Sequence, residues 1–145
     1  MTPITTRFSF ALALLAFSSF SHAQLLNPEP ELNREVSQDV RNVEALKKLQ
    51  ASTGTVLVYA RGLCCPSCSI GVRKKVSALA FVDTDKPKSG VYIDAKHQLV
   101  TIAVKDGQTV DKIALSKAVD DAGYPAVHLY TLKDGQLRTT LFASN

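Results

Sequence analysis

The feature that most constrains this chain's fold is the order in which its hydrophobic pattern changes period between Thr55 and Leu132. Thr55–Ala60 (TVLVYA) is β-branched and apolar and predicts a buried strand. Residues 67–80 predict a helix with Ile70, Val72, Val76 and Leu79 toward a core and Arg73, Lys74 and Lys75 on the other side. After a loop at 81–90, marked by Pro87 and Gly90, two short strands at 91–94 and 99–104 flank a turn-like AKHQ. A second helix is predicted at 110–122, with Ile113, Leu115, Ala118 and Val119 as its apolar set, Thr109 as its cap and Gly123 as its stop. Residues 126–132 form the next strand, and the turn pair Asp134-Gly135 predicts a hairpin to a further strand at 136–142.

The order β-α-β-β-α-β predicts an α+β, ferredoxin-like sandwich, an antiparallel sheet with both helices on one face. Two additions flank it. Upstream, Val36, Val40, Val43, Leu46 and Leu49 recur at helical spacing within residues 31–50. The spacing predicts an amphipathic helix that packs on the domain or on a partner. Downstream lies the hairpin strand. The expected organisation is therefore residues 1–23 as a signal peptide, 24–53 as linker and helix, 54–132 as the principal domain and 133–145 as a C-terminal extension.

The N-terminal assignment rests on charge and length. Arg7 is the lone charge before Glu29, residues 8–20 read FSFALALLAFSSF, and Ser21-His22-Ala23 supplies small residues at a cleavage position. A positive start, a short apolar centre and this ending describe a secretory signal. A membrane span needs roughly 20 apolar residues, more than are present here. An exported, periplasmic chain that is not membrane-embedded after cleavage is the expectation. Cleavage removes one of 17 basic residues and none of 13 acidic ones, leaving a net charge of +3. That charge is too mild and too evenly spread to argue for a nucleic-acid partner.

All three cysteines, Cys64, Cys65 and Cys68, fall within five residues. Disulfides that staple a fold close long loops, and this cluster cannot, so its role is read as chemical. Cys65 is placed in the loop after the first strand and Cys68 in the first turn of the following helix. A helix N-terminus lowers thiol pKa, because its free N–H groups and dipole favour the thiolate. Paired thiolates suit a soft, low-coordinate ion such as Cu(I) or Hg(II). A structural zinc site needs four ligands, which the cluster lacks. His97 is read as part of a turn and His128 as a strand residue, neither of them a ligand.

Three features together give a family resemblance: Gly62-Leu63-Cys64-Cys65-Pro66-Ser67-Cys68, the turn Asp121-Ala122-Gly123-Tyr124, and Val72 four residues after the last cysteine. The stretch from 56 to 129 resembles the heavy-metal-associated domain, found in copper chaperones, metal-pumping ATPases and periplasmic mercury-binding proteins. The resemblance implies that Cys65 and Cys68 bind one soft metal ion and that Tyr124 covers the site. Leu63 stands where the family carries Met. Cys64 stands where it carries Thr or His, as a third ligand or a thiol pointing away. The loop at 83–89 is longer than the family's.

The expected function is therefore a metal carrier or scavenger with no catalysis of its own. Its partners would be a metal-exchanging membrane transporter or another metal-binding protein. Two alternatives stay open. Cys65-Pro66-Ser67-Cys68 also suits a thiol-disulfide oxidoreductase, and the upstream helix suits an interaction domain that binds a larger partner.

Overall fold

The computed structural model describes residues 35–143. The expected signal peptide and most of the expected linker lie outside the described residues. The elements are α1 (Gln38–Ala51), β1 (Thr55–Ala60), α2 (Pro66–Val76), β2 (Val91–Asp94), β3 (Leu99–Ala103), α3 (Lys112–Asp120), β4 (Ala126–Lys133) and β5 (Gln136–Leu141). The fold is α+β, and its strands form one antiparallel sheet in the order β2-β3-β1-β4-β5.

The central strand β1 explains how the layers assemble. Alternate strand residues point to opposite faces. Val56, Val58 and Ala60 join a core with Val72 and Val76 of α2 and Leu115, Ala118 and Val119 of α3. Leu57 and Tyr59 instead join Ala45 and Leu49 of α1, together with Leu99 and Tyr130. Both faces of β1 are thus covered, which is why its sequence is a continuous apolar run without alternation. The upstream helix packs on the domain as a third layer, and β5 extends the same sheet.

The packing face of α1 differs from the predicted one. Leu49 of the expected stripe is buried, but Val40 and Val43 are 48% and 69% exposed, and Arg41 and Ala45 are buried in their stead. The reason lies on the sheet. The Arg41 guanidinium sits 3.8 Å from the centre of the Tyr59 ring, a cation–π contact. It also donates to the Val36 carbonyl and pairs with Glu35 at 3.6 Å. The Tyr59 hydroxyl donates to Glu35 Oε1 at 3.0 Å, and burial together with that hydrogen bond pushes its pKa up to about 12. Small Ala45 then lets the helix approach the sheet.

Other boundaries shift for local reasons. Asp111, and not Thr109, caps α3, its carboxylate accepting from the N–H groups of Ile113 and Ala114 at 3.0 Å each. Ile70 and Ile113, read as core-facing, are 65% and 84% exposed. Each sits in the first two turns of its helix, on the side turned away from the sheet core. The long loop after α2 ends in a 3-10 turn, Pro87–Gly90. Gly90 has φ +71°, and a Cβ there would lie 2.2 Å from the Asp83 carbonyl oxygen, so only glycine fits. Asp134 and Gly135 both have positive φ, as a two-residue hairpin turn requires.

Candidate metal centre

The cysteine segment begins where β1 ends. A register shift between Tyr59 and Ala60, where Val127 is the extra residue on β4, makes a β-bulge at this end of the pairing. Three backbone bonds then fix the exit. Ala60 N–H donates to Gln98 O at 3.1 Å, Arg61 N–H to Pro125 O at 3.0 Å, and Leu63 N–H to Ala60 O at 3.3 Å. The last closes a tight turn through Gly62, whose φ is +81°. Leu63 is wholly buried in the main core and roots the loop.

Cys64 and Cys65 follow, both half-buried. Cys64 carries a free thiol, and Cys65 is disulfide-bonded. Pro66 opens α2, a position that suits it because the first helical N–H has no partner to lose. Cys68 lies in the first turn of that helix. The first turn of α2 holds no acidic residue and its last turn holds Arg73, Lys74 and Lys75. Arg73 is not purely a solvated charge: its Nε donates to Val91 O at 3.2 Å and ties α2 to β2.

Tyr124 sits in the loop between α3 and β4, half-buried against the main core. The Arg61–Pro125 bond holds its loop beside the cysteine loop. Tyr124 also lines a groove of about 690 Å³ with Arg61, Gly123, Pro125, Leu141 and Phe142. Asp120 braces this end, accepting from Ala126 N–H at 2.9 Å and from the Ser116 hydroxyl at 3.2 Å.

The two histidines have separate surroundings. His128 is on β4, stacked against Tyr59 at 6.0 Å between ring centres, and burial and the positive Arg41 push its pKa down. His97 is in the β2–β3 turn, its Nδ1 2.7 Å from Asp94 Oδ2. Asp94 also receives Lys48 Nζ at 2.9 Å. Burial alone would raise the Asp94 pKa, but the hydrogen bonds from His97 and Lys48 outweigh it and hold the carboxyl below its ordinary range. Glu44, Asp94 and His97 bring one donor atom each to within 4.8 Å of one another. Sequence reasoning missed this group because Glu44 lies fifty residues from Asp94 and no local pattern joins them.

No family model matches the chain, and neither the curated proteins nor the solved structures compared with it include a match. Among the described residues, no helix is long and apolar enough to cross a membrane.

Proposed function

We propose that the protein is a periplasmic carrier or scavenger of one soft metal ion, Cu(I) or Hg(II), held by thiolates of Cys65 and Cys68. The observation that carries this reading is the position of the two cysteines. One occupies the bend leaving the central strand and the other the first turn of α2, in a loop rooted by Leu63. The strand order β2-β3-β1-β4, with α2 and α3 on one face, supports the ferredoxin-like reading and the resemblance to heavy-metal-associated domains. On that reading Tyr124 shields the ion, and Cys64 either adds a third thiolate or points away.

The chemistry follows from ligand type. Metal capture needs Cys65 reduced, since a disulfide sulfur offers no thiolate. The N-terminus of α2 then favours the anionic ligand over the thiol. A two-coordinate ion leaves room for an attacking thiolate from a transporter or another metal-binding protein. Exchange proceeds through a three-coordinate intermediate: a metal–sulfur bond to the incoming thiolate forms, one to a departing thiolate then breaks, and the ion's oxidation state does not change. Cys65 engages the partner's ion first, and Cys68 closes the site.

A second reading is favoured by one observation, the disulfide at Cys65. On that reading the pair exchanges disulfides with other proteins. The two are separated by equilibrium dialysis of the reduced protein against Cu(I), alongside an assay of disulfide reductase turnover. The carrier reading expects one ion per chain, none after the double change Cys65→Ser/Cys68→Ser, and no turnover. Unchanged metal uptake in the double variant would overturn it, and turnover without uptake would establish the oxidoreductase.

A further inference from the structure

Where α1 crosses the β2–β3 turn, a group of side chains unrelated to the cysteines converges. Glu44 comes from α1, Asp94 from the end of β2 and His97 from the turn, and all three are half-buried. One donor atom from each lies within 4.8 Å of the other two. The Asp94 carboxylate grips His97 at two points: its Oδ2 lies 2.7 Å from the imidazole Nδ1, and its Oδ1 accepts from the His97 backbone N–H at 3.2 Å. The position between the carboxylates is taken by a cation already. Lys48 Nζ lies 2.9 Å from Asp94 Oδ2 and 3.6 Å from Glu44 Oε1.

We propose that Glu44, Asp94 and His97 form a second, harder metal site for a divalent ion of the zinc class, whose place Lys48 holds until the ion displaces it. Two carboxylates and one imidazole are a donor set for Zn(II) and similar ions, and a poor one for Cu(I). Three protein ligands leave the fourth tetrahedral position to water. Bonds of about 2.0–2.1 Å place tetrahedral donors about 3.4 Å apart. Small rotations of half-buried side chains therefore open the Asp94–His97 pair slightly from 2.7 Å and close the wider pairs, which all lie within 4.8 Å. Lys48 can vacate the position because its side chain is 28% exposed on a helix surface and reaches solvent by a rotamer change. Occupation exchanges one positive charge for two between a pair of carboxylates. It also pins α1 to the β2–β3 turn, so binding stabilises the third layer against the sheet.

The site is independent of the cysteine pair, and its test removes thiol ligation. The oxidised Cys64→Ser protein, kept without reductant and shown free of titratable thiol, is titrated with Zn(II) by calorimetry near pH 7.5. One ion binds per chain. Affinity falls at least ten-fold in His97→Ala and in Glu44→Gln, rises in Lys48→Met, and Zn(II) raises the melting temperature of the parent but not of the first two variants. Glu44→Gln retains the shape of its side chain on a helix surface, so its loss of binding reads ligation and not folding, with circular dichroism as the check. Absence of saturable binding, or an affinity indifferent to both His97→Ala and Glu44→Gln, overturns the proposal.

Discussion

Leu63 offers the sharpest test of how the fold supports the cysteine loop. Its side chain is wholly buried, although it lies outside any strand or helix, two residues before Cys65. Leu63→Ala removes the side chain beyond Cβ from a packed core. The lost transfer energy and the residual cavity together cost about 3 kcal/mol, within the usual range of 2–5 kcal/mol. For a domain of this size about 1 kcal/mol lowers the melting temperature by roughly 4 °C, so the expected fall is about 12 °C. Leu63→Met preserves volume and costs less than about 1.5 kcal/mol, a shift of no more than about 6 °C. The assay is thermal unfolding of the reduced proteins followed by circular dichroism. Cu(I) affinity is then compared at a temperature where all three are folded. The alanine variant should bind more weakly, because its loop has lost its root, and the methionine variant should bind like the parent. A fall of less than about 3 °C for Leu63→Ala would refute the claim that this residue anchors the loop.

Three further outcomes follow from the packing. Gly90→Ala should destabilise by about 3 kcal/mol or more, from a positive-φ backbone and a Cβ placed 2.2 Å from the Asp83 carbonyl oxygen, as read by denaturant unfolding; an effect under about 1 kcal/mol would contradict the geometry. Burial and Arg41 lower the His128 pKa in the folded state, so the unfolded chain takes up its proton first as pH falls below about 6.5. Stability is therefore full above that pH and declines below it, and His128→Phe should flatten the decline between pH 7 and 5. Removing residues 1–52 uncovers Leu57, Tyr59, Leu99 and Tyr130, all nearly inaccessible in the whole protein. The truncated chain should self-associate in sedimentation, and a well-behaved monomer would contradict the third-layer role of α1.

Much of the sheet was legible because β1, β3 and β4 carry dense apolar runs bounded by turn residues. Asp134-Gly135 marked the hairpin, and both residues adopt the positive φ that a two-residue turn demands. The packing face of α1 was only partly legible: Leu49 of the expected stripe packs on the sheet. Its apolar stripe pointed to Val40 and Val43, yet the sheet receives Arg41, because the Tyr59 ring stabilises a buried guanidinium. Hydrophobic periodicity cannot register a cation that packs as a flat, ring-stacking group. The cap of α3 was misplaced by two residues because Thr109 and Asp111 are both competent caps, and only the turn geometry selects Asp111. In the candidate site, the clustering of the cysteines was plain in the sequence, whereas Leu63 drew notice only through the family resemblance and the structure adds its complete burial. The bonds from Arg61 to Pro125 and from Ala60 to Gln98 were not, since they join loops distant in sequence. The same distance hid the convergence of Glu44 with Asp94 and His97.

The central claim is that Cys65 and Cys68 hold one soft metal ion. Its most direct test is an anaerobic Cu(I) titration of the reduced protein against a chromophoric chelator that reports competition. The account predicts that the protein withdraws one equivalent of Cu(I) from the chelator and that Cys65→Ser/Cys68→Ser withdraws none. Failure of the reduced, folded protein to compete, or equal competition by the double variant, would contradict it.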